Sequence, residues 1–192
     1  MSTLRVGNIT ATGGTGTITV PTGNQISQVD RPSGLVLVKT QTIGTAVSSV
    51  TVTNAFSADF DNYRIVMNSI GSASHSIDLK LGASTTGYFG SLIYADATVG
   101  TVQVATRNNA AQLNWLGGCQ GANQPSVVSF DIFNPFAATF TKISNGAYQD
   151  GSYYGTMQGE HRVSTSYTDF ILTPNSGTLT GGTIRVYGYR NS

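Results

Sequence analysis

The chain closes with Thr168-Asp-Phe-Ile-Leu-Thr-Pro174, Asn175-Ser-Gly177 and Thr178-Leu-Thr-Gly-Gly-Thr-Ile-Arg-Val-Tyr-Gly-Tyr-Arg190. Two β-rich runs flank three turn-forming residues, and Ile184 and Val186 alternate with Arg185, Tyr187 and Tyr189 at the period of a strand. The stretch reads as a β-hairpin. A two-stranded ribbon buries too little apolar surface to stand alone in water, so the preceding sequence must supply a sheet for it to join. The Arg185, Tyr187 and Tyr189 face is aromatic and basic, and is expected to meet either the loops of a second sheet or a neighbouring subunit.

Upstream the same period recurs. Tyr63, Ile65 and Met67 share one face, as do Ile77, Leu79 and Leu81, with Asp78 and Lys80 turned to water. Val50 and Val52 alternate with threonines, and Val128, Phe130 and Ile132 alternate with Ser129 and Asp131. Residues 35–38, Leu-Val-Leu-Val, are apolar on both faces and read as a central or two-sided strand. The middle of the chain is weaker, with short candidates at 91–94, 101–104 and 112–116 among many glycines, and is expected to carry long loops. Asn145-Gly146 has the residues of a type I′ hairpin turn, and Asp150-Gly151 gives a second turn signal. Ten to twelve short strands without helical period predict an all-β fold: an antiparallel β-sandwich or jelly-roll-like body over 33–192.

Residues 1–32 differ from this body. They contain no aromatic residue, so they cannot build a core, yet Leu4 and Val6, Ile9, and Ile18 and Val20 supply the apolar positions of short strands. The expectation is an extended β-rich arm that attaches to a subunit or capsid by adding to a sheet edge; the competing reading is an ordinary strand pair on its own domain.

Composition narrows the function. Of 192 residues only 10% are charged, against about 25% in typical soluble domains, and ten Lys or Arg balance nine Asp or Glu. No basic run offers a footprint for a phosphate backbone, which argues against nucleic acid as a partner. No stretch approaches the ~18 apolar residues of a membrane helix, and the first residues lack the apolar region of a signal peptide, so a soluble protein made in a cytoplasm is expected. The Asn8-Ile9-Thr10 sequon is therefore read as unused. Cys119 is the one cysteine, excluding an intrachain disulfide and a cysteine-based zinc cluster, and is read as a buried small hydrophobe.

The stock for catalysis is small: one Glu, eight Asp, two His and one Cys. No His-Glu-x-x-His, Gly-x-Ser-x-Gly or phosphate-binding glycine motif occurs. A carboxylate pair such as Glu160 with Asp78 or Asp131 would suit a glycosidase, but Asp78, Asp131 and Asp169 alternate with apolar neighbours and read as solvent-face residues. The Asp59-x-Asp61-Asn62 cluster lacks the further ligands of a calcium loop and reads as a polar turn. No enzyme, metal or cofactor is expected. Trp115, near Gly117 and Gly118, suits either a core position or a stacking platform for a pyranose, with Tyr88, Tyr94, Tyr153 and Tyr154 as further stacking faces.

Leu4-Arg-Val-Gly-Asn-Ile-Thr10 with Gly16-Thr-Ile-Thr-Val-Pro-Thr-Gly-Asn-Gln-Ile26 resembles the N-terminal module of small structural and tail-fibre-like proteins of tailed bacteriophages, notably those of marine and cyanobacterial hosts. Phe60-Asp-Asn-Tyr-Arg-Ile-Val66, Phe130-Asp-Ile-Phe-Asn-Pro135 and Gly182-Thr-Ile-Arg-Val-Tyr-Gly-Tyr-Arg190 look like the β-sandwich body that accompanies it. The resemblance covers about half the chain and brings no catalytic residues. It implies a virion component assembled in the host cytoplasm: a capsid decoration or cement protein that binds the major capsid protein or other virion proteins and self-associates, as a trimer. The alternative it implies is a tail-fibre or receptor-binding module recognising host-surface glycan.

Overall fold

The computed structural model describes residues 34–149 and 151–190. The chain divides into Met1–Pro32 and Ser33–Ser192, and the described residues all belong to the second unit. The expected arm, with Leu4, Val6, Ile9, Ile18 and Val20, lies outside them.

The described residues form twelve strands and no helix: β1 (Leu35–Thr42), β2 (Val50–Val52), β3 (Asn62–Gly71), β4 (His75–Leu81), β5 (Tyr88–Asp96), β6 (Thr101–Ala110), β7 (Gly117–Cys119), β8 (Gln124–Phe133), β9 (Thr141–Gln149), β10 (Tyr153–His161), β11 (Phe170–Pro174) and β12 (Leu179–Tyr189). Every pairing is antiparallel. The fold is all-β and sandwich-like, and its two layers separate at β8. Along one edge of β8 runs the whole of β3; the other edge is shared, β7 taking Val127 and Val128 and β9 taking Asp131 to Phe133. A long sheet therefore runs β1-β12-β3-β8-β9-β10-β5-β6, and a short sheet, β2-β11-β4-β7, leaves it through β7.

The core lies between these layers. From the long sheet come Tyr63, Ile65, Met67, Val128, Phe130, Ile132, Ile184 and Val186; from the short sheet come Val52, Ile77, Leu79, Leu81, Phe170 and Leu172, all fully buried. These are the faces that the alternation predicts. Phe56, in the loop after β2, bridges the layers, its ring 4.9 Å from Tyr63 and 5.5 Å from Phe170.

Several local readings are corrected. The closing stretch is not a hairpin. β11 pairs with β2 and β4 in the short sheet, while β12 pairs with β1 and β3 in the long one. The 175–177 turn carries the chain from layer to layer: Asn175 N–H donates to Ser76 O, Asn175 Oδ1 accepts from Ser76 N–H, and Gly177 takes a positive φ of 66°. Residues 35–38 are not central either, because β1 pairs only with β12 among the described residues and leaves Leu35 and Leu37 exposed.

Asn145-Gly146 does not turn. β9 runs through it with a register shift against β10, and the reversal comes at Gly151, φ 88°. The middle of the chain is not mostly loop, since β5 and β6 form a long pair. Residues 112–116 are not a strand: they lie along β4, with Leu113 bridging Leu79 and Leu116 N–H donating to Ile77 O. This segment buries the face of Asp78 that the alternation assigns to water.

Candidate functional site

Antiparallel register places Phe133, Lys142, Glu160 and Phe89 in one cross-strand row on β8, β9, β10 and β5, with side chains on the face away from the core. Gln158 and Ser91 form the next row, and Ser144 stands opposite Asp131. Together they line a groove of about 610 Å³, well within the size of small-ligand sites. Gly159 pairs with Gly90 in its floor, and on the core side Leu113 packs so closely that a Cβ on either glycine would meet it at 2.6 or 2.7 Å. The two glycines thus let strands and core approach where the sheet forms the groove. At one end Arg162 stacks on the Phe89 ring at 4.1 Å and makes an ion pair with Glu160. Among the described residues the ion pairs are Arg162–Glu160 and Arg64–Asp131, so Lys142 stands in the groove without a carboxylate partner.

The same outer face continues across β12, β3 and β8 as a polar network. Arg64 Nη1 donates to Asp131 at 3.2 and 3.3 Å, Arg64 Nη2 donates to Ser129 at 2.8 Å, and Tyr189 O–H donates to Asp131 Oδ1 at 2.7 Å. Tyr187 stands opposite Arg64 in register, half-buried, and Arg185 is exposed. The aromatic, basic face of the last strand is therefore an outer sheet face, held in part by its own chain. Burial first, then the Asp131 carboxylate, raises the Tyr189 phenol above its ordinary value; the Tyr189 contact also raises the Arg64 guanidinium, against the cost of its burial. Asp131, at 4% exposure, is not the free solvent-face residue expected of it.

The stacking residues named from sequence do not converge. Tyr88 is fully buried; its hydroxyl accepts from Leu81 N–H at 2.7 Å, and burial pushes the phenol up to about 12. It cannot meet a sugar, because β5 turns it toward the core and against His161, ring centroids 4.3 Å apart. Tyr94 is half-buried, edge-on to Tyr148 and Tyr153, and donates to Gln103 at 2.8 Å. Tyr154 is exposed and donates to Gly151 O. Trp115 is half-buried against the core at a positive φ of 66°, with the Arg107 guanidinium 4.1 Å from its ring centroid. Beside it, Ser74, Ser76, Tyr148, Asn175 and Ser176 help to line a smaller hollow of about 270 Å³.

No family model, curated protein or solved structure matches this chain. The site's chemistry therefore has to be read from its own residues. Among the described residues no three His, Cys, Asp or Glu side chains stand together as a metal-holding group.

The two histidines sit inside the fold. His75 Nδ1 lies 3.0 Å from Ala73 O, which only accepts, so Nδ1 carries the proton and Nε2 accepts from Ser126 at 3.0 Å. His161 Nε2 lies 3.0 Å from Thr86 O and 2.9 Å from Ser84 Oγ, which by the same argument places its proton on Nε2. Ser126 is fully buried and His75 nearly so, so the Ser126–His75 pair lacks the substrate access that nucleophilic catalysis needs.

Sequence reading missed the groove. Its residues come from four strands, and the row Lys142–Glu160 exists only because β9 continues through Asn145-Gly146 and turns at Gly151. The available signal was Asp150-Gly151: a hairpin drawn on that pair would have set Lys142 near Glu160.

Proposed function

We propose that this chain is a structural protein of a bacteriophage virion, a capsid decoration or cement protein that binds the shell and neighbouring subunits and acts without catalysis. The observation that supports this reading best is β6. It is a ten-residue edge strand, and Val102 and Val104 are each 73% exposed, beside exposed Ile93. Proteins that work as monomers blunt such edges with charge, proline or short strands, because an open apolar edge recruits another chain. Here Arg107 is the one charge along β6.

The other end of the long sheet is complementary. β1 presents Leu35 and Leu37, two residues apart, on the same outer face as Val102 and Val104. Eight strands alternate in direction from β1 to β6. Because eight is even, β6 of a second copy laid along β1, outer faces aligned, continues the ladder in antiparallel sense. Such head-to-tail pairing forms a ring when the rotation between copies closes and an open filament when it does not, and a closed trimer is the assembly we propose. Attachment to the major capsid protein or other virion proteins uses the same kind of main-chain pairing, after assembly in the host cytoplasm.

The test is complementation between edges, with mass read by light scattering after gel filtration. Each of Leu35→Lys/Leu37→Lys and Val102→Lys/Val104→Lys is expected to be monomeric, folded by circular dichroism, and to form a one-to-one dimer when mixed with the other. A monomeric parent chain, or a β1 variant that still dimerises through β6, overturns head-to-tail assembly. The second reading, a tail-fibre or receptor-binding module recognising host-surface glycan, draws on the groove of β8, β9, β10 and β5.

A further inference from the structure

We propose that this groove is a binding site for a carboxylate-bearing saccharide. The proposal rests on the glycan-recognition reading and names its ligand class, and it is independent of assembly, since the lining residues lie on the interior strands of the long sheet and not on β1 or β6.

Its shape and its chemistry agree. Phe133 and Phe89 end a row four strands wide, about 14 Å apart at the usual strand spacing, which leaves room for one or two pyranose rings between aromatic walls. Phe133 brings an apolar face of the kind that sugar C–H groups pack against. Between the walls, Gln158 supplies an amide with both donor and acceptor, and Ser91 and Ser144 supply hydroxyls, the groups that ring hydroxyls need to exchange for water.

Charge selects the ligand. The Glu160 carboxylate pairs with Arg162, so Lys142, Glu160 and Arg162 together sum to one positive charge. Lys142 is exposed and has no carboxylate partner among the described residues. The groove thus carries one uncompensated positive charge set among hydrogen-bonding groups, and a sugar carboxylate beside Lys142 Nζ completes it with a charge-assisted hydrogen bond. A neutral sugar leaves that charge unmatched and binds more weakly.

The experiment titrates the full chain with sodium glucuronate and, separately, with glucose, following backbone amides by nuclear magnetic resonance. Glucuronate is expected to give saturable shifts centred on Lys142, Ser144 and Gln158, about tenfold tighter than glucose, with the preference falling as salt rises. Lys142→Gln, a substitution at an exposed position, is expected to remove the tenfold preference while leaving the remaining spectrum in place. Phe133→Ser is expected to weaken both sugars. Absence of saturable shifts, shifts centred on Trp115 instead, equal affinity for the two sugars, or an undiminished preference in Lys142→Gln would each overturn the proposal.

Discussion

At Asp78 the alternation of β4 points the side chain away from the core, yet the 111–116 segment lies over that face and leaves the residue 1% exposed. Gln112 donates to Oδ2 at 2.6 Å, whereas Oδ1 has no partner within hydrogen-bond distance. Burial pushes the carboxyl from 3.8 to about 6, and the nearby Asn114 amide, Trp115 backbone and Arg107 charge only soften that effect. A raised folded-state value means stability that is full below the unfolded value near 3.8 and is lost as pH rises through about 6. Burial also lowers His75 and His161 below the ordinary 6.5. Their contribution is present above 6.5 and is lost as pH falls, opposite in sign to that of Asp78. Asp78→Asn is therefore expected to stabilise the protein by about 1–3 kcal/mol at pH 7 and by nothing at pH 3. It should also steepen the loss between pH 6.5 and 4, where the histidines then act unopposed. Urea unfolding at a series of pH values reads this, and an Asp78→Asn chain less stable than the parent at pH 7 would show that the ionised carboxylate is a net stabilising group.

Elements were legible wherever one face is buried and illegible where pairing depends on distant chain. The alternation of Tyr63, Ile65 and Met67, of Ile77, Leu79 and Leu81, and of Val128, Phe130 and Ile132 names core faces that the fold bears out. The same rule fails at β1, because an apolar two-sided run looks alike at the centre of a sheet and at its edge. Asn175-Ser-Gly177 fixes only a local reversal; whether the next strand returns beside its predecessor or crosses to the other layer depends on distant partners, β2 and β4 for β11 and β1 and β3 for β12. After the crossing, β12 pairs with β3 through a bulge between Thr180 and Thr183. There Gly182 has a φ of 85°, and a Cβ at that position would lie 2.0 Å from Asn68 O. Gly182→Ala is strained in backbone and blocked by a carbonyl that cannot rotate away. It is expected to cost at least about 2 kcal/mol, whereas Gly181→Ala, with a similar φ but open space around it, is expected to cost less. Chemical denaturation of the two variants compares them directly, and equal losses would mean that φ alone matters.

For the molecule as a whole, the question is which part carries assembly. Among the described residues the core runs from Ile43 to Val186, and the cluster it forms draws on the strands of the sandwich-like body and on loop residues such as Phe56, Leu113 and Tyr167. A chain beginning at Gly34 therefore retains every residue of that core. It also retains both candidate edges, β1 with Leu35 and Leu37 and β6 with Val102 and Val104. The truncated chain is expected to unfold in one cooperative transition within about 5 °C of the full chain, since a change of 1 kcal/mol moves a domain of this size by roughly 2–4 °C. If β1 and β6 carry self-association, its mass by light scattering matches the same oligomer number as the full chain, and its melting temperature rises with protein concentration. If the first 32 residues carry it instead, the truncated chain is a folded monomer with a concentration-independent melting temperature. Scanning calorimetry at two concentrations, beside the mass measurement, separates the two, because loss of the fold broadens the transition while loss of assembly leaves it sharp.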